Sequence, residues 1–187
     1  MNLNVEKILI IGLGMIGSSI ALASKSKGIK VYGFDKSNNS IKEALEKNII
    51  DSKVESILDI NSKDFVKKVD LIIVSVPPKQ TLDVLNDLKD IWNTDVTITD
   101  TSSVKNHIKL NGASNIVLSH PIAGSDQSGI SAANGDLFKN KKNVLCDPFN
   151  SKKGHFEKVD NFWKNALQMR TSSMSVTEHD LIFAMTS

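Results

Sequence analysis

The sequence predicts an α/β fold: a doubly wound, mostly parallel sheet with helices on both faces. Three observations carry this. Short, nearly continuous apolar runs recur along the chain, as strands buried on both sides require. Helix-length amphipathic stretches alternate with them. The first of these stretches opens on a glycine pattern directly after an apolar run.

Lys7 to Ile11 is a compact β-branched run ended by Gly12. From Ile16 to Ser26 a helix follows, with Ile16, Ile20 and Ala23 on one side. Lys30 to Phe34 is the next strand, closed by Asp35-Lys36-Ser37. Ser40-Ile41-Lys42-Glu43 has the form of a capping box, with Ile41, Ala44 and Leu45 behind it. Residues 51–64 hold one short strand and a helical turn. Leu71 to Val76 is a strand stopped by Pro77-Pro78, and Thr81 to Ile91 sets Leu82, Leu85 and Leu88 at helical spacing. Asp95 to Thr99, Asn115 to Leu118 and Asn143 to Cys146 complete six strands, the last two stopped near Pro121 and Pro148. Phe156 to Leu167 is a helix carrying Phe156, Val159, Phe162, Trp163 and Leu167. Thr177-x-x-Asp180 then resembles a helix start, ahead of the apolar stretch Leu181 to Met185. That last helix either packs on the core as a terminal element or opens a second, helical domain; we expect the second.

Composition narrows the function classes. The 187 residues are 40% hydrophobic and 24% charged, enough for one large domain without covalent staples. Cys146 is the single cysteine, which excludes a disulfide framework and a cysteine zinc cluster, and the scattered histidines offer no metal spacing. Basic and acidic residues, 23 and 21, are interspersed at a net charge of +2, so no nucleic-acid footprint is visible. No apolar run approaches the ~20 residues of a membrane span, and the first residues lack a signal-peptide core. A cytoplasmic enzyme or binding module is expected. Arg170 is the only arginine.

Gly12-Leu13-Gly14-Met15-Ile16-Gly17 fits G-x-G-x-x-G between a strand and a helix, the Rossmann-type context that makes the pattern specific. Gly12 permits the tight turn, Gly14 lets backbone approach a pyrophosphate, and Gly17 allows close helix–strand packing. Amides at Met15 and Ile16 then face the phosphates, helped by the helix dipole. Asp35 lies 18 positions after Gly17, close to the ~20 usual for a residue that accepts both ribose hydroxyls. A carboxylate there repels a 2′-phosphate, so NAD is favoured over NADP, with Lys36 partly offsetting the repulsion.

Three later blocks end strands at the same edge of the sheet. Ser75-Val76-Pro77 sits beside the cofactor or is an ordinary proline strand stop. Asp100-Thr101-Ser102-Ser103-Val104-Lys105 faces the crevice, and its hydroxyls can also cap a helix. Ser119-His120-Pro121-Ile122-Ala123-Gly124-Ser125 places a histidine, the usual general base near neutral pH, where ligands collect. His107 and His155 read as surface residues. His179, beside Asp180, is either a cap or a site residue.

In order, Gly12 to Gly17, Asp100 to Lys105, Ser119 to Gly124 with Ser128-Gly129 and Leu137-Phe138, and His179-Asp180 with Ala184 and Thr186-Ser187 resemble the prephenate/arogenate (cyclohexadienyl) dehydrogenase family of tyrosine biosynthesis. The resemblance spans essentially the whole chain. It implies an NAD-dependent oxidative decarboxylation of a cyclohexadienol, with His120 taking the hydroxyl proton as hydride leaves. It implies that Ser103 positions that hydroxyl or His120, that Thr101 and Ser102 border the cofactor, and that Ser125, Gln127 and His179 lie along the substrate. It also divides the chain into a dinucleotide-binding domain, 1–172, and the start of a helical dimerisation domain, 173–187. A homodimer is then expected for an intact protein, and weak or no association for this chain. A related hydroxy-acid or imine dehydrogenase, or a nucleotide sensor without chemistry, are the alternatives.

Overall fold

The computed structural model describes residues 5–124, 127–152 and 154–184. Strand β1, Lys7–Ile11, buries four aliphatic side chains in a row. Ile8 and Ile10 enter the core on one face of the sheet, and Leu9 and Ile11 the core on the other. Such two-sided burial belongs to a central strand with helices above and below. In chain order follow α1 (Met15–Lys25), β2 (Lys30–Phe34), α2 (Asn38–Glu46), β3 (Ser52–Lys53), α3 (Ile57–Ile60), α4 (Lys63–Val66), β4 (Leu71–Val74) and α5 (Pro78–Asp87). Then come β5 (Thr97–Asp100), β6 (Ile116–Ile122), β7 (Lys142–Cys146), α6 (His155–Asn161) running into a π-helical turn Phe162–Ala166, β8 (Arg170–Ser173) and α7 (Val176–Ala184).

The strands form one sheet in the order β3-β2-β1-β4-β5-β6-β7-β8. All neighbours are parallel except β6 and β7. The chain winds outward from β1 in one direction and from β4 in the other. The order therefore reverses between these two strands, and the carboxyl ends of β1 and β4 flank the crevice where ligands bind in such sheets. The register Ile8↔Leu71 to Ile11↔Val74 sets the two strand ends level.

The structure corrects several local expectations. Strand β6 runs on to Ile122, so His120 sits within a strand rather than in the loop after it. Strand β8 was not anticipated: Arg170–Ser173 is a largely exposed edge with no apolar run to announce it. The N-cap of α2 is Ser37, whose hydroxyl accepts the Ser40 N–H at 3.2 Å; Ser40 lies inside the helix. Helix α7 is capped by Ser175 and Glu178, which exchange backbone-to-side-chain bonds of 2.9 and 3.2 Å, so Thr177 and Asp180 are not the box. His155 is not a surface residue. It is buried, with Nδ1 2.8 Å from the Thr97 hydroxyl, and burial pushes its basicity down.

Helix α7 lies on the sheet domain through Val176 and Phe183, which pack on the core, while Leu181 and Ile182 are exposed. No helix among the described residues is long and apolar enough to cross a membrane.

Candidate active site

The glycine turn shows three different constraints. Gly12 has φ +97°, and a Cβ there would lie 2.4 Å from the Ser75 carbonyl oxygen. A Cβ on Gly17 would lie 2.0 Å from the Gly12 carbonyl oxygen, so only glycine lets α1 sit this close to β1. Gly14 is neither strained nor crowded: its backbone is extended, and nothing lies within 4 Å of its Cβ position. It is the N-cap of α1, and no side chain caps that helix. A side chain at Gly14 would fill a cradle in front of the helix amides, which is the space a pyrophosphate needs. Asp35 braces the turn. Its carboxylate accepts the Leu13 N–H at 2.7 Å and the Ser37 N–H at 2.8 Å. Each oxygen keeps capacity for one further bond, as a ribose diol requires. Lys36 is held 3.4 Å from the Gln80 amide oxygen across the rim.

Two joined hollows make the cleft. The smaller, of about 230 Å³, is walled by Ile11, Gly12, Phe34, Asp35 and Val84. The larger, of about 450 Å³, is walled by Met15, Ile16, Thr101, Ser102, Ser103, His120 and Gln127. They share Gly14, Ser75, Val76 and Pro77. The structure thus brings into one cleft every residue expected to touch cofactor or substrate except Gly17, His179 and Ser125. Gly17 packs under the turn. His179 is fully buried behind His120. Ser125 lies outside the described residues. Ser103 is exposed on the cleft wall and makes no hydrogen bond to His120 among the described residues. The Ser102 hydroxyl turns back to Val104, and the Thr101 hydroxyl donates to Ser75 at 3.2 Å, so neither caps a helix. A larger cavity of about 650 Å³ opens at the opposite, amino edge of β4 and β5 and holds none of these groups.

His120 is held from behind. Its Nδ1 lies 2.9 Å from His179 Nε2, and His179 Nδ1 lies 2.7 Å from Asp180 Oδ1. Phe183 stacks edge-on against the His120 ring, with centroids 4.8 Å apart. Asp180 also accepts backbone N–H groups of Lys105 and Asn106 at 3.0 and 2.7 Å. Burial raises the Asp180 carboxyl, but His179 and those amides outweigh it and hold it below the usual range. His120 is pushed down to about 3, first by burial, then by Lys105 and His179. Lys105 is fully buried, with Nζ 2.6 Å from Asp100 Oδ2 and bonded to the Ser119 carbonyl. Burial draws its ammonium below the ordinary range, against the pull of Asp100. Asp100 accepts the Ser102 and Ser119 amides as well, so this pair ties the β5 loop to the strand carrying His120. Sequence reasoning missed the pair; the Asp-x4-Lys spacing across a strand end was the one available signal.

The family model for the prephenate dehydrogenase nucleotide-binding domain matches residues 20–168. This chain belongs to the prephenate dehydrogenase family. It is 32% identical over 196 residues to the prephenate dehydrogenase of Bacillus subtilis, a match covering 100% of this chain and 51% of that protein. It is 38% identical over 156 residues to the prephenate dehydrogenase of Lactococcus lactis, covering 76% of this chain and 41% of that one. The chain thus spans about half the length of these relatives or less. The crystal structure of the Aquifex aeolicus prephenate dehydrogenase with hydroxyphenyl propionate and NAD+ superposes at a TM-score of 0.84, with 29% identity over 98% of this chain and 64% of that one. His179 and Asp180 lie beyond the matched residues and sit directly behind His120 rather than on the cleft wall.

Proposed function

We propose that the protein carrying this chain oxidatively decarboxylates prephenate or arogenate with NAD, in tyrosine biosynthesis. The observation that carries the proposal is the placing of His120 and the glycine turn in one cleft, at the edge where the strand order reverses. The Aquifex neighbour, which holds NAD+ and a phenolic acid, supports it. Gly12, Gly14, Met15 and Ile16 would cradle the pyrophosphate, with Gly17 holding the turn close to α1 from beneath, Asp35 would hold the adenosine ribose, and Ser75, Val76, Pro77, Thr101 and Ser102 the middle and nicotinamide end. When bound, NAD+ supplies the hydride acceptor.

His120 then takes the proton of the ring hydroxyl as hydride leaves the same carbon. A base depressed to about 3 suffices, because the oxygen becomes far more acidic as its carbon turns into a carbonyl. A neutral imidazole at working pH also accepts without first losing a proton of its own. Loss of carbon dioxide aromatises the ring. Ser103 and Gln127 line the wall where the hydroxyl and ring would lie. We further infer a cytoplasmic, homodimeric intact protein in which α7 opens the helical portion, with this chain associating weakly or not at all.

A panel of prephenate, arogenate and a 3-hydroxy acid, followed by NADH absorbance on the intact protein, tests the proposal. Turnover of a cyclohexadienol with release of carbon dioxide is expected. Turnover of the hydroxy acid alone would replace this function with the alternative dehydrogenase, and binding without turnover would leave a nucleotide sensor.

A further inference from the structure

The geometry points to His179 and Asp180 as a proton relay behind His120, one that sets the tautomer of His120 and receives the proton His120 takes from substrate. The relay deepens the dehydrogenase proposal and rests on it for its chemistry.

Asp180 fixes the direction of every bond. Its carboxylate already accepts two backbone N–H groups and is held below the usual range, so it is ionised and can only accept. His179 Nδ1, 2.7 Å away, must therefore donate. In neutral His179 the other nitrogen, Nε2, is then an acceptor. It lies 2.9 Å from His120 Nδ1, which must carry a proton to make that bond. His120 Nε2 is left bare, and no described residue hydrogen-bonds it. This is the nitrogen remaining for the cleft that His120 lines. A general base needs that tautomer, whereas the opposite one would meet the substrate hydroxyl with an N–H.

The same chain can move charge. The hydroxyl proton forms a bond to His120 Nε2 as the O–H bond breaks, and hydride leaves the adjacent carbon for the oxidised nicotinamide. The Nδ1–H bond of His120 then breaks as His179 Nε2 gains that proton. The balance is a neutral His120 protonated at Nε2 and a cationic His179 against the Asp180 carboxylate. The surroundings favour this outcome. Lys105 is a buried cation that disfavours charge on His120, while Asp180 faces His179 directly. Nearby also lie Asp100, already bound to Lys105, Glu178, bonded to Ser175, and the buried Cys146, whose thiol is pushed up to about 11 by burial and stays neutral. The His179 side chain is fully buried, and that of Asp180 is 21% exposed. Until the proton leaves, His179 donates back to His120 and holds the unreactive tautomer, so the relay must reset before the next turnover.

Histidine-selective ¹⁵N labelling of the 187-residue chain, with long-range ¹H–¹⁵N spectra, reads each nitrogen directly. The expected result is a protonated Nδ1 and a bare Nε2 on both His120 and His179. His179→Gln keeps an acceptor for His120 Nδ1 but cannot pass a proton. It should preserve the His120 tautomer while lowering kcat at least 10-fold in the intact enzyme, with KM for NAD unchanged. His179→Phe removes the acceptor and should move His120 toward the Nε2–H form; the dispersed amide spectrum checks that it folds. A wild-type His120 protonated at Nε2, or an unchanged His120 tautomer in folded His179→Phe, would overturn the relay. So would full kcat in His179→Gln. Correct tautomers in a protein that turns over no cyclohexadienol would uphold the hydrogen-bond chain and sink the dehydrogenase proposal instead.

Discussion

Gly14→Ala and Gly17→Ala make the same chemical change three residues apart, and the structure predicts opposite consequences. At Gly14 the added methyl meets nothing within 4 Å, on an extended backbone that alanine adopts freely. Folding stability should change by less than about 1 kcal/mol, the range of cap and backbone-entropy effects. The methyl does occupy the cradle in front of the first amides of α1. A pyrophosphate pushed outward loses one or two charge-assisted amide bonds, worth about 1.5–3 kcal/mol each. Affinity for NAD should fall about 30-fold or more, since each 1.4 kcal/mol is tenfold. At Gly17 the methyl would sit 2.0 Å from a backbone oxygen that no side-chain rotation can move. The helix must retreat from the turn, at a cost of about 1–3 kcal/mol or more, which exceeds the ~1 kcal/mol alanine gains as a helix former. Urea unfolding and calorimetric titration of both variants separate the effects. A Gly14→Ala protein that binds NAD as tightly as wild type would refute the cradle.

Lys105→Met should cost about 3–5 kcal/mol in urea unfolding by leaving Asp100 buried without its cation, and Asp100→Asn in the same chain should restore part of it. Asp35→Ala should narrow the preference for NAD over NADP in paired titrations; equal affinity of the unmutated chain for both would count against the carboxylate's role. His120 should make stability fall as pH drops from about 6.5 to about 3, because across that window only the unfolded ring binds a proton. The slope is at most about 1.4 kcal/mol per pH unit, reduced by the open side of the ring. His120→Gln should flatten that part of the stability–pH curve relative to wild type, and identical curves would contradict the burial of a neutral ring.

Much of this was legible in the sequence because parallel strands announce themselves. Lys7–Ile11 and Lys30–Phe34 were bounded correctly, since a two-sided apolar run has few other fates. The glycine turn was readable because its spacing reflects two steric demands of the chain, at Gly12 and Gly17, and open space for a ligand at Gly14. Strand β8 was hidden, as an edge strand such as Arg170–Ser173 needs pairing rather than apolar side chains. The Asp100–Lys105 pair and the contact of His179 with His120 were hidden for another reason. The pair leaves only an Asp-x4-Lys spacing across a strand end, which exposed turns share, and the histidines meet across 59 positions of chain, a proximity no local pattern encodes. The caps at Ser37 and Ser175 were missed because neighbouring Ser and Thr offered equally good local signals.

The central claim is that His120 Nε2 receives the substrate hydroxyl proton beside the nucleotide. A crystal structure of the intact protein with NAD+ and hydroxyphenyl propionate measures this most directly. The account predicts the phenolic oxygen about 2.6–3.2 Å from His120 Nε2, with Nδ1 still bonded to His179. A phenolic oxygen held by another residue, with Nε2 out of hydrogen-bond reach of it, would contradict the account.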